Sequence, residues 1–149
     1  MILPDFKGFP RVGRIIGVDW GARRIGIAVS DETRGFVFVR PVVVIGQKME
    51  HAQVVADIAQ QERVVGIVVG LPLYPDGKES QTTAQVKEFL EKLSQKTQLP
   101  IVTVEENLTS VSAQEQMGRV RVRDIKERLD SQSARVILEN AIAIINRAV

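Results

Sequence analysis

Carboxylates capable of acting together stand at three places in this chain: Asp19 in the run IIGVDWG, the pair Glu105 and Glu106 after IVTV, and Asp130 at the head of the last apolar-periodic stretch. Asp19 ends an apolar run, where a lone ionised carboxylate is costly unless hydrogen bonds, a cation or a metal compensate it. Convergent acids repel one another and raise one another's pKa values unless divalent cations neutralise them. The chain has no cysteine and a single histidine, His51. Thiolate zinc sites, cysteine nucleophiles and multi-histidine metal sites are therefore excluded. What remains is a hard cation on oxygen ligands, Mg2+ or Mn2+, bound also to phosphate oxygens. Two such ions about 4 Å apart activate a water and stabilise the leaving oxygen of an in-line phosphodiester displacement.

Each of these residues also has a plain structural reading. Asp130 is a favoured N-cap for the helix that follows it. Either glutamate suits a solvated strand end, and an Asp between a strand and a glycine is a common turn residue. His51 reads as a surface residue. The basic run GRVRVRDIKER at 118–128, with Arg119, Arg121, Arg123, Lys126 and Arg128, is either a solvated connector or, beside an acidic rim, a clamp for a phosphate backbone.

For the acids to meet, particular elements must carry them. The run Ile15–Val18, a turn at Gly21–Arg24 and the run Ile25–Val29 predict a hairpin. Phe36–Ile45 predicts a third strand of the same meander, with Pro41 marking an edge position or a bulge. A helix is expected at 49–61, a doubly covered strand at Val64–Val69, and a turn-rich YPDGKESQ after it. A helix over 82–96 carries the stripe Val86, Phe89, Leu90 and Leu93, and a short strand over 101–104 ends at Glu105. A short helix at 109–117 and the basic connector lead to a final helix from about Asp130, with Ala134, Ile137, Leu138, Ala141, Ile142 and Ile145 on one side. Helical spacing puts Asp130 on that same, sheet-facing side. The order β-β-β-α-β-α-β implies parallel pairing through right-handed crossovers, with sites at the carboxyl ends of strands. If the first strand is central and lies beside the 64–69 strand, Asp19, Glu106 and Asp130 share one rim.

The 149 residues, 44% hydrophobic, suit one α/β domain over 14–149, with residues 1–13 (Pro4, Gly8, Pro10, Gly13) as a loose leader. Twenty basic against 18 acidic side chains leave a formal +2, too mild to diagnose a nucleic-acid partner by itself. No apolar run approaches the roughly 20 residues of a membrane span, so a cytoplasmic location is the default expectation. The edge strand carrying Pro41 and the exposed helices leave room for a homodimer.

Four blocks carry a resemblance that spacing alone does not supply: GVDWGARRIGIAVSD at Gly17–Asp31, VVGLPLYPDGKES at Val68–Ser80, VEENLTS at Val104–Ser110 and DSQSARVIL at Asp130–Leu138. In content, order and spacing the chain resembles, from Ile15 to about Ala143, the YqgF family, also called RuvX-like Holliday junction resolvases and pre-16S rRNA nucleases. The resemblance implies an RNase H-like fold, a five-stranded mixed sheet flanked by helices on both faces. It implies Asp19, Glu106 and Asp130 as the metal ligands and catalytic acids, with Glu105 standing for the Asp that precedes the family's Glu. Arg24 and Gly26 match its Lys-Arg-Ile-Gly run, and Leu71, Pro72, Asp76 and Gly77 match its Gly-Leu-Pro-Leu…Asp-Gly loop. The chain departs from the family at Asn107, where Arg is usual, at Tyr74 and Pro75 for Asn-Met, and at Ser80 and Ser133 for Gly and Ala. Asn107 lacks a fixed positive charge that would meet a phosphate or pair an acid.

The expected function is a metal-dependent endonuclease on structured nucleic acid with Mg2+ or Mn2+, two ions, on the three acids. Arg24, Lys78, Arg119, Arg121 and Arg123 would contact the backbone. The resemblance implies two substrates, pre-16S rRNA, which is favoured, and the four-way DNA junction. A sugar-kinase or actin-like nucleotide-binding module is disfavoured because the chain holds one Gly-x-Asp-x-Gly unit where that architecture needs two. A non-catalytic nucleic-acid-binding protein of the same fold is the remaining alternative, against which the retention of all three acids argues.

Overall fold

The computed structural model describes residues 1–107 and 131–147. The expected short helix at 109–117, the connector with Arg119, Arg121 and Arg123, and Asp130 lie outside the described residues. The elements are β1 (Ile15–Asp19), β2 (Arg24–Ser30), β3 (Val37–Val44), α1 (His51–Gln61), β4 (Gly66–Leu73), α2 (Gln81–Lys96), β5 (Ile101–Asn107) and α3 (Gln132–Arg147). They form one five-stranded sheet in the order β3-β2-β1-β4-β5. The first three strands are an antiparallel meander, and β4 and β5 run parallel to β1. The first strand is thus central and adjacent to β4, as expected. Pro41 lies on the edge strand β3, where a missing N–H need not break a ladder.

Alternation along the central strands feeds two cores. Ile16, Val18, Ile67, Val69 and Ile101 pack with Val55 of α1 and Val86, Phe89 and Leu93 of α2. Ile15, Ala28, Val68, Val102 and Val104 pack on the other side with Ala134, Ile137, Leu138 and Ala141 of α3. Helices therefore cover both faces, which is why β1 and β4 read as continuous apolar runs. The start of α2 is fixed by a reciprocal cap between Ser80 and Thr83, and the Thr83 hydroxyl also donates to the Pro72 carbonyl at the end of β4. Beyond the last turn of α1, Glu62 accepts from Arg14 at 2.7 Å and from Arg40 at 2.8 Å, tying that end to β1 and β3. No helix among the described residues is long and apolar enough to cross a membrane.

The structure departs from the sequence expectation at the strand ends and in the first residues. β4 continues to Leu73 and β5 to Asn107, so Glu105 and Glu106 lie inside a strand, paired with Leu71 and Pro72. Ladder hydrogen bonding to a neighbour carries the pairing past the apolar run and overrides the poor strand preference of Glu. Residues 1–13, expected as a loose leader, make specific contacts. The Leu3 N–H donates to the Ile101 carbonyl and the Ile101 N–H to the Met1 carbonyl, both at 2.8 Å, so the segment uses the free edge of β5. Phe9 is only 4% exposed and fills space left by the missing side chain of Gly66.

Helix α3 lies unusually close to the sheet over Gly17 of β1. A Cβ at Gly17 would stand 2.8 Å from both the Ala134 carbonyl oxygen and Leu138 Cβ. Substituting Gly17→Ala is expected to cost about 1–3 kcal/mol, because the obstacle is helix backbone that cannot step aside as a flexible side chain can. Urea denaturation should show a lower midpoint with an unchanged slope; an unmoved midpoint would mean that α3 can lift from the sheet freely.

Candidate active site at the carboxyl ends of the parallel strands

Asp19 is the last residue of β1 and pairs with Gly26 of β2. A Cβ at Gly26 would lie 3.4 Å from Asp19 Cβ and 3.5 Å from Ser131 Cβ, so this bare position lets the acid and the start of α3 come together. Glu106 is two strands away on β5. Its carboxyl group reaches over the intervening Gly70 of β4, where a Cβ would stand 2.9 Å from both Glu106 Cδ and Oε2. Gly70 is one step beyond Val69, the partner of Val18, and therefore level with Asp19. The two acids face each other across this glycine, whose Cβ position is also approached to 2.5 Å by Ile137 Cδ1 of α3.

Their electrostatics follow from that placement. Burial pushes the Asp19 carboxyl above its ordinary range, opposed by a hydrogen bond from the Ser133 side chain of α3. Glu106 is pushed up to about 7, first by burial and then by the negative charge of Asp19. Glu105, its neighbour, points into solvent. Among the described residues no group of three His, Cys, Asp or Glu side chains is placed to hold a metal ion, so Asp19 and Glu106 stand as a pair. Ser131, the first described residue after Asp130, is 3% exposed and adopts a φ of 59°, and its hydroxyl has no partner among the described residues.

The cations expected to meet a backbone flank the same end of the sheet. Arg24 opens β2 just after the turn that follows Asp19, and Lys78 lies in the hairpin that follows β4; both are exposed. The remaining basic candidates, Arg119, Arg121 and Arg123, fall outside the described residues. His51, expected on the surface, instead secures the turn after Asp19. Its Nε2 lies 3.1 Å from the Gly21 carbonyl and 2.9 Å from the Ala22 carbonyl, and its ring packs 5.4 Å from Trp20. Spacing along the chain held no sign of this, because the contact joins residues 29 and 30 positions apart. Gly70, Gly26 and Ser133 are likewise visible in the sequence as small residues, without any indication that they adjoin Asp19 and Glu106.

A carboxyl whose pKa is raised by folding stabilises the fold below its unfolded value, and that contribution disappears as pH climbs through the folded value. For Glu106 the window runs from about 4.5 to about 7. Without divalent cations, the stability of the parent protein should therefore fall across that window. Glu106→Gln should flatten the fall and raise the denaturation midpoint above pH 7, measured in EDTA. A profile of identical shape in parent and variant would show that Glu106 is not under this strain.

A mixed sheet in this strand order, helices on both faces and facing acids at the carboxyl ends of the parallel strands define an RNase H-like α/β protein. The fowlpox virus resolvase, solved with Holliday junction DNA, shares the fold at a TM-score of 0.51 and 12% identity, over 91% of this chain and 99% of that one. A family model described as "RuvX: Holliday junction resolvase" matches residues 13–143, and the chain belongs to that family. A protein of Maridesulfovibrio salexigens is 35% identical over 87% of this chain and 98% of its own length. One of Rhodopirellula baltica is 34% identical over 89% and 78% respectively. Both carry the name "Putative pre-16S rRNA nuclease".

Proposed function

We propose that this protein is a metal-dependent endonuclease that hydrolyses phosphodiester bonds of structured nucleic acid, acting at the 5′ end of pre-16S rRNA. The observation that carries this reading is the Glu106 carboxyl folded over Gly70 toward Asp19, with both groups pushed toward protonation. Such a pair is electrostatically unfavourable alone and becomes favourable around cations, so the donor set fits hard divalent ions. Asp19 and Glu106, with Asp130 as third acid, are the residues proposed to hold Mg2+ or Mn2+, two ions. When bound, such ions supply Lewis-acid activation of water and neutralise charge on the leaving oxygen.

The chain's own groups do the rest. The Ser133 side chain hydrogen-bonds Asp19 and favours its ionised form, against the larger opposing effect of burial. Gly26 and Gly70, by presenting no side chain, let the start of α3 and the Glu106 carboxyl close in beside Asp19. Arg24 at the start of β2 and Lys78 in the hairpin after β4 are proposed to hold the backbone by charge, together with Arg119, Arg121 and Arg123. The names of the relatives support ribosomal RNA as substrate. The family description supports a second reading, cleavage of a four-way DNA junction.

Incubation of the parent protein with Mn2+ or Mg2+ and a labelled pre-16S rRNA fragment should give cleavage that EDTA abolishes and that Asp19→Asn lacks. Cleavage of a four-way junction with the RNA left intact would transfer the assignment to the second reading. Equal cleavage by parent and variant would remove Asp19 from the chemistry. Arg24→Ala and Lys78→Ala should each lower the slope of log affinity against log salt by about 1, and unchanged slopes would remove them from the backbone contact.

A further inference from the structure

The hairpin after β4 carries the chain's single tyrosine, Tyr74, which belongs to neither core cluster and is 44% exposed. Its placement follows from the sheet. Pro72 pairs with Glu106, and Tyr74 follows two residues later, just past the end of β4 at Leu73, about 7 Å on. Alternation directs residues 70, 72 and 74 to one side, the side on which Glu106 overlies Gly70. Strand alternation thus places the exposed Tyr74 just beyond the end of β4, on the side of the sheet from which Glu106 overlies Gly70.

The ring is also held on a rigid base. The Tyr74 N–H donates to the Lys78 carbonyl at 3.0 Å and the Gly77 N–H to the Tyr74 carbonyl at 2.8 Å. The Lys78 N–H donates to Asp76 Oδ1 at 2.9 Å, and Gly77 takes a φ of 84° that favours glycine. Leu73 bridges Glu79 to close the hairpin, and Thr83 anchors its root at Pro72. A tyrosine on such a support presents its apolar face with little conformational entropy to lose. The Lys78 ammonium on the same short hairpin is exposed to meet a phosphate.

We propose that Tyr74 is a stacking platform for an unpaired nucleotide next to the phosphate that is cut, with Lys78 holding the adjoining phosphate. The proposal rests on the nuclease reading above and deepens it: the substrate class becomes nucleic acid with an unpaired nucleotide flanking the cleavage site. Stacking on an aromatic ring tolerates any base, because every base has a π-face. A base inside a duplex has both faces covered by its neighbours and cannot use the ring, so the platform discriminates by local structure and not by sequence.

The test uses an RNA hairpin with a single-stranded flank carrying 2-aminopurine, and a fully paired version of the same strand. Binding is read with Ca2+ in place of Mg2+, and cleavage separately in Mn2+. Parent protein and Tyr74→Phe should quench 2-aminopurine fluorescence and bind the flanked RNA about tenfold more tightly than the paired one. Tyr74→Ala should lose both the quench and the preference, while circular dichroism melting confirms that it is folded. Retention of both by Tyr74→Ala overturns the platform, and leaves the nuclease reading standing if cleavage is still observed. Quench and preference that depend on Tyr74 in a protein that cuts neither RNA would uphold the platform and overturn the nuclease reading.

Discussion

The approach of two carboxyl groups over a glycine floor is the constraint on which the rest of this structure turns. Glu106 and Asp19 belong to strands separated by β4, and a side chain on that strand would keep them apart. With Gly70 between them, the Glu106 carboxyl and Ile137 Cδ1 crowd the space a Cβ would take, and Glu106 feels the charge of Asp19. The same device recurs beneath α3, where Gly17 and Gly26 let the helix settle against β1 and β2 and bring Ser131 and Ser133 to the acids. Stability gained by close helix-to-sheet packing is thereby coupled to an electrostatically strained pocket.

The topology decides which end of the molecule can carry such a pocket. β1, β4 and β5 run parallel, so their carboxyl ends, the turn after β1 and the hairpin after β4 share one rim. The turn after Asp19 is secured by His51 from the start of α1, and the end of β4 is secured by Thr83 from the start of α2. Two helices on the face opposite α3 thus stiffen the loops around the acids without contributing acids of their own. The opposite end is closed by Phe9 and by the pairing of Glu62 with Arg14 and Arg40, which are structural contacts.

Much of this frame was legible in the residues. Periodicity marked the meander, the two crossover helices and the apolar stripe of the last helix, because burial on one or both faces leaves its period in the chain. Strand ends were less legible: β5 outlasts its apolar residues because β4 offers it partners, and a pairing partner is not a local property. The tethering of residues 1–13 was hidden for the same reason, since an exposed sheet edge and a slot over Gly66 exist only once the sheet has formed.

The sequence by itself determined the kind of chemistry available, since a chain without cysteine and with one histidine can offer hard cations only oxygen ligands. It also singled out Asp19, because an acid at the end of a buried run demands compensation. Tertiary structure alone decided that Asp19 faces Glu106, that Glu105 does not, and that Gly70, Gly26 and Ser133 shape the space between them. These are relations between strands 87 residues apart in number and two strands apart in space, from Asp19 to Glu106. Register and alternation set them, and a shift of one residue in β5 would turn Glu106 away and bring Glu105 in its place.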